Sequence, residues 1–165
     1  MKKVLLVIAI VAAGFTANAQ ETKVVGTTDT ELNVGGTIGI PSGDSKADVT
    51  GAIEVNYLFK VSEEFKVGGA ISHIHFLGDG ADAAFLPIAA AGRFTVSDKF
   101  SLGLDLGYGI GVRPSENTES GFYYRPMVGY KVTEKITAHI DYSAVVLDNA
   151  TLSSFGIGAT YSFSL

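Results

Sequence analysis

The chain contains no cysteine, so neither a disulfide framework nor thiol chemistry is open to it. It also has no apolar run that could cross a bilayer as a helix. The longest run beyond the N-terminus, Ala83 to Ala91, is interrupted by Pro87, and a spanning helix needs ~20 apolar residues. Basic residues are in deficit, 12 against 17 acidic, for a net charge of −5, which argues against nucleic acid as a partner. Helical periodicity is weak throughout. In its place a two-residue period runs from Glu31 almost to the end, the mark of an all-β chain.

The N-terminus has to be set aside before the rest is read. Lys2 and Lys3 precede an apolar stretch from Val4 to Ala13, and Ala17-Asn18-Ala19 before Gln20 has the form of a small-x-small cleavage site, which together describe a secretory signal peptide. The organisation expected is a signal peptide over 1–19, a Thr-rich, non-periodic N-terminal extension over 20–30, and one domain over 31–165.

A seven-residue phrase occurs three times: Phe59-Lys-Val61-Ser-Glu-Glu-Phe65, Phe94-Thr-Val96-Ser-Asp-Lys-Phe100 and Tyr130-Lys-Val132-Thr-Glu-Lys-Ile136. In each copy an aromatic and a valine run into three polar residues, and an apolar residue then opens a new alternating run. That is a strand, a short turn and a returning strand. Tyr161-Ser-Phe163-Ser-Leu165 repeats half of the phrase and stops where a fourth turn would begin. Three similar turns therefore lie on one rim, and both ends of the domain lie with them.

Eight alternating segments can be written down, each with an apolar face and a face of small and polar residues. The cleanest sets Phe100, Leu102, Leu104, Leu106, Tyr108, Ile110 and Val112 against Ser101, Gly103, Asp105, Gly107, Gly109 and Gly111. The third segment shifts phase near His73 and the fourth carries Pro87, so a bulge or an early strand end is expected there. Which face is outside decides function. A soluble carrier would turn the apolar face inward around a ligand. Here, however, the other face is rich in Gly, Ser and Thr, and interior glycine weakens a strand with no packing return on a solvated surface. Glu54, Arg93, Asp105, Arg125 and Asp141 stand singly, with mixed sign, near segment centres, as in an enclosed network where each ion needs a partner. Arg93 falls opposite Gly103, and both Arg93 and Arg125 are expected to reach Asp105 and Asp141 diagonally across their hairpins. The apolar face carries aromatics near both ends: Phe59, Phe65, Phe94, Phe100, Tyr130, Tyr161 and Phe163 by the turn rim, and Tyr108, Phe122, Tyr124, Tyr142 and Phe155 toward the other. Two aromatic belts flanking an aliphatic band describe a lipid-facing surface. The fold class expected is an eight-stranded antiparallel up-and-down transmembrane β-barrel.

The Ala17-Asn18-Ala19-Gln20 junction, the strand Leu106-Gly-Tyr108-Gly-Ile110-Gly and the closing Gly156-Ile-Gly158-Ala-Thr-Tyr161-Ser-Phe163-Ser-Leu165 resemble the small outer-membrane β-barrel family of the OmpA/OmpX-like, porin-like kind. The Ala-Gln junction is also similar to Bacteroidetes secretory proteins. The resemblance implies a Gram-negative cell outer membrane location and short turns facing the periplasm. It also implies a terminal assembly signal at Tyr161, Phe163 and Leu165, with leucine where phenylalanine is commoner. The partners it implies are outer-membrane lipids, the barrel assembly machinery and periplasmic chaperones, with a possible surface partner on the external loops. A barrel of ~8 strands has an interior that side chains just fill, so a filled lumen without a large pore is expected.

Chemical sites are few. His73-x-His75 with Asp79 and Asp82 nearby has metal-ligand residue types, but rim histidines at a ragged strand end are the better reading. His139, Asp141 and Ser143 share one face and could be taken for a hydrolytic triad. Residues two apart on one strand are ~7 Å apart, too far for a relay, so polar packing of His139 and Asp141 with Arg125 in the lumen is favoured. No metal, no cofactor and no catalysis is expected. The alternatives are a lipid-modifying barrel enzyme and a soluble ligand-binding barrel. The lipid A deacylase family carries a His-x-Ser pair that this sequence lacks. The palmitoyltransferase family has an amphipathic helix where Glu21 to Thr30 shows no helical period.

Overall fold

The computed structural model describes residues 30–78, 82–114 and 119–164. The expected signal peptide, nearly all of the 20–30 extension and Leu165 of the assembly signal lie outside them, as do Asp79 and parts of two connections. The described chain forms eight strands: β1 (Thr30–Gly43), β2 (Val49–Lys60), β3 (Phe65–Leu77), β4 (Ala83–Thr95), β5 (Phe100–Arg113), β6 (Gly121–Lys131), β7 (Ile136–Val146) and β8 (Thr151–Ser164). Each pairs antiparallel with its sequence neighbour and β8 returns to β1, closing the barrel. The β1–β8 seam runs unbroken from Glu31 opposite Ser164 to Gly43 opposite Leu152. Every edge is therefore paired, as a sheet in hydrocarbon requires.

Burial inverts the order of a water-soluble protein. Ile38, Ile40, Ile53 and Ile157 are 63–74% exposed, while Asp105, Arg125 and Glu54 are 1–3% exposed. The apolar face is the outside and the charges are enclosed.

The three phrases fold into three equivalent turns. Ser62, Ser97 and Thr133 each place a hydroxyl oxygen to accept from the backbone N–H of the residue three later, at 3.1, 3.2 and 2.9 Å. Val61, Val96 and Val132 each donate at 2.9 Å to the carbonyl of Phe65, Phe100 and Ile136. The turns are also linked to one another. The carbonyls of Glu64, Lys99 and Lys135, at the sixth place of the phrase, accept from Thr95, Lys131 and Ser162, at the second place of the next copy, at 2.7–2.8 Å. The half-phrase at the chain end thus receives the last of the three links.

Two expectations need correction. β3 does not shift phase or end early at His73. Ile71 and Leu77 point out, Ser72, Ile74 and Phe76 point in, and the alternation is intact. What changes at His73 is the lumen, which turns from polar to apolar, so hydrophobicity inverts while geometry does not. β4 likewise continues through Pro87. Its register break lies between Ala84 and Phe85 on the β5 side, and Pro87 costs only the Ser72–Pro87 and His73–Leu86 ladder pairs on the β3 side, because proline has no N–H to donate.

Candidate functional site: the barrel lumen

The lumen has three zones. From the turn rim a polar vestibule of about 140 Å³ descends past Lys66, Lys99 and Lys131 to a floor of Asn56, Glu54, Arg93 and His139. Below it lies the charge cluster. Toward the opposite rim Ile74, Phe76, Phe85, Tyr123 and Val145 pack into an apolar plug, with Phe76 and Phe85 edge to face at 6.2 Å. This plug was not legible as lumen in the sequence. Its only trace was the apparent phase shift after His73.

Register builds the charge cluster. Asp105 stands directly opposite Arg125 in the β5–β6 ladder and opposite Ala91 in β4–β5, while Arg93 stands opposite Gly103. Arg93 Nη1 reaches Asp105 Oδ1 diagonally at 2.5 Å, and a Cβ at position 103 would collide with its aliphatic stem and with Met127. The diagonal offset expected for Arg125 is corrected: it meets Asp105 straight across, through Nε at 3.0 Å and Nη2 at 2.8 Å. Its Nη2 also donates to Glu54 Oε2 across the lumen from β2. Two guanidiniums and two carboxylates thus make a neutral chain that cross-braces β2, β4, β5 and β6. Removing charges from water is expensive, and multiple pairing offsets it, although Glu54 Oε1 is buried without a hydrogen-bond partner.

His139 and Asp141 form a second polar group and do not join Arg125. His139 Nε2 lies 3.0 Å from Thr37 Oγ1 and, correcting the separation expected of residues two apart on one strand, 3.3 Å from Asp141 Oδ2, because the two side chains lean toward each other. Both fit because the facing strand β8 has Gly156 and Gly158, where any Cβ would strike Thr37, Asp141 or His139. Thr37, a partner across the closure seam, was missed in the sequence, since only the β7–β8–β1 register brings it there. The hydroxyl and the carboxylate approach the same ring nitrogen, whereas a nucleophile–base–orienter relay uses the two nitrogens separately. Ser143 faces Ser154 across β7–β8 and has no part in the group.

His73 and His75 are on the outer face, opposite Ile53 and Gly51 of β2, with ring centroids 6.0 Å apart. His75 Nε2 bonds Asp82 Oδ1 at 2.5 Å, and Arg113 Nε lies 3.3 Å from Asp82 Oδ2. The His75 hydrogen bond, helped by Arg113, holds the Asp82 carboxyl below its ordinary range. Among the described residues no group of three or more metal-ligating side chains is gathered.

The expected girdle residues Phe59, Phe94, Phe100, Tyr108, Tyr130, Tyr161 and Phe163 are exposed on the outer face, with Phe65 partly covered. They pair edge to face, Phe100 with Tyr130 at 5.2 Å and Tyr161 with Phe163 at 4.7 Å. At the other end Tyr142 lies 4.7 Å from Phe155 and 6.0 Å from Tyr124.

A closed antiparallel barrel of eight strands, lipid-facing outside and charged within, is the architecture of a small integral outer-membrane protein. Residues 7–163 match the family model described as outer membrane protein beta-barrel domain, and the chain belongs to that family, which places it in the outer membrane. Solved structures of similar fold include Ail, the attachment invasion locus protein of Yersinia pestis. Its TM-score is 0.60 at 16% identity, over 82% of this chain and 99% of that one. The N-terminal β-barrel domain of Pseudomonas aeruginosa OprF gives 0.55 at 11% identity, over 83% and 100%. The outer membrane enzyme PagL gives 0.55 at 12% identity, over 78% and 98%. At these identities the likeness is one of fold alone, and the fold is shared with an enzyme. No curated protein gives a significant match.

Proposed function

We propose that this is a non-catalytic barrel with a structural, envelope-stabilising or surface-interaction role and no diffusion pore. One observation carries the reading: the lumen is spanned at its centre by the chain Arg93, Asp105, Arg125 and Glu54, and filled beyond it by the Phe76, Phe85 and Tyr123 plug. Groups committed to bracing the wall are not free to act on a substrate, and the His139 group has the geometry of packing rather than relay. Outer-membrane lipids are the continuous partner of the outer face, with chaperones and the assembly machinery during biogenesis. A surface partner would meet the connections after β1, β3, β5 and β7. The test is planar-bilayer recording with the purified barrel, together with the lipid A acyl profile and detergent sensitivity of a deletion strain. An unaltered profile, heightened detergent sensitivity and no stable large conductance are expected. A changed acyl profile would assign the barrel to lipid modification instead.

A further inference from the structure

His73 and His75 stand two apart on the outer face of β3. Their Cα atoms are ~7 Å apart, as in any strand, and their rings lean in to a centroid separation of 6.0 Å. With metal–nitrogen bonds of ~2.0–2.1 Å, two imidazoles on one ion have centroids roughly 5 Å apart at a tetrahedral angle and ~6.4 Å apart at most. The pair is therefore already at chelating distance. Residue types alone do not single it out; the chain behind His75 does. Asp82, itself held by Arg113, bonds His75 Nε2. An ionised carboxylate can only accept, so Nε2 carries the proton and the lone pair of the neutral ring is on Nδ1. A histidine whose second nitrogen donates to a carboxylate in this way has the orientation and the added basicity of a metal ligand.

The surroundings leave room for an ion and its water. His75 stands opposite Gly51 in β2 and Ala84 in β4, and a Cβ on Gly51 would meet nothing within 4 Å. Direct contact with Asp82 fixes the level of the pair, because the Asp82 and Arg113 side chains are 47% and 57% exposed and belong to the rim rather than to the hydrocarbon band.

We propose that His73 and the Nδ1 of His75 chelate one imidazole-preferring divalent transition-metal ion of the Zn²⁺ kind. Asp82 is the positioning residue behind His75, and water completes the coordination. Imidazole suits Zn²⁺, Cu²⁺ and Ni²⁺, whereas Mg²⁺ and Ca²⁺ take oxygen donors. That preference separates the site from the general attraction of hard cations to lipid phosphates. The inference concerns the outer rim and is independent of what the lumen does.

The mature barrel is refolded in phosphatidylcholine nanodiscs and titrated calorimetrically with Zn²⁺ and, separately, with Mg²⁺. Wild type should bind one Zn²⁺ per barrel and no Mg²⁺. Asp82→Asn should weaken Zn²⁺ about tenfold, the lower end of the ~10–100-fold that an outer-shell partner is worth. His73→Gln and His75→Gln each remove a ligand and should cost more than that. Heat-dependent gel mobility checks that these rim variants fold. A second readout needs no variant: in long-range proton–nitrogen spectra of the Zn²⁺-loaded wild type, His75 Nδ1 should move to the metal-bound range while Nε2 keeps its proton. The chelate is overturned by an absence of saturable Zn²⁺ binding, by equal binding of Mg²⁺, or by unchanged affinity in either histidine variant. Zn²⁺ on Nε2, or Asp82→Asn at wild-type affinity, would overturn the role given to Asp82.

Discussion

At the centre of the lumen one guanidinium serves two carboxylates: Arg125 bonds Asp105 from the adjacent strand and Glu54 from across the barrel. Arg125→Met leaves Glu54 buried and alone, and should cost about 3–5 kcal/mol, the range for breaking a buried pair from one side. Adding Glu54→Leu should recover much of that loss, since Arg93 still neutralises Asp105. Urea unfolding in detergent micelles, followed by tyrosine fluorescence, measures both, and a double variant weaker than the single one would contradict this account. At the rim, Asp82 is held ionised by His75 and Arg113. A carboxylate with a depressed pKa contributes above its unfolded value of ~3.9 and loses that contribution as pH falls through the folded value. The His75–Asp82 contact should therefore persist at neutral pH and open only in acid, with a carboxyl NMR titration midpoint below ~3.9. The charged residues themselves were legible as an enclosed set, because single charges of mixed sign among glycines have no place on a solvated face. Their pairing was legible only for Arg93, whose hairpin register follows from the turn. Glu54 with Arg125, and Thr37 with His139, depend on closure, which no single strand records.

Among the elements, β5 was the most legible, since apolar residues alternate without exception with small or polar ones from Phe100 to Val112. β3 was the least legible, because its lumen side passes from Gly68 and Ala70 to Ile74 and Phe76 as the interior changes character. Leu106 lies mid-strand on the outer face of β5, between Ala90 and Tyr124. Leu106→Arg should cost about 2–4 kcal/mol, as for cations placed at mid-membrane on a barrel, and refolding into lipid at wild-type stability would reverse the facing. The turns offer a complementary measurement. Ser62→Ala, Ser97→Ala and Thr133→Ala each remove one hydroxyl acceptor at an exposed site. Each should cost about 0.5 kcal/mol, and the losses should add, since distant sites act independently. Urea midpoints of the single and triple variants test this.

The whole molecule depends on a seam between its first and last strands. Removing Thr151–Ser164 opens β1 and β7 together, and each backbone group left bare in hydrocarbon costs several kcal/mol, more than a domain of this size has in reserve. The truncated chain should be exported yet fail to gain protease protection or heat-dependent gel mobility in pulse-chase experiments, and normal assembly would deny the closed barrel. The linked series of turns has a different consequence. Because the sixth place of each phrase grips the second place of the next, a hairpin is a module that docks on a copy of itself. A chain carrying residues 95–130 twice could grow by one hairpin, from eight staves to ten, with every grip on the rim preserved. Diameter rises with strand number, and Arg125 would then fall short of Glu54. The same periodicity that lets the wall widen would turn a stopper into a channel, because the reach of one arginine across the lumen is matched to eight strands.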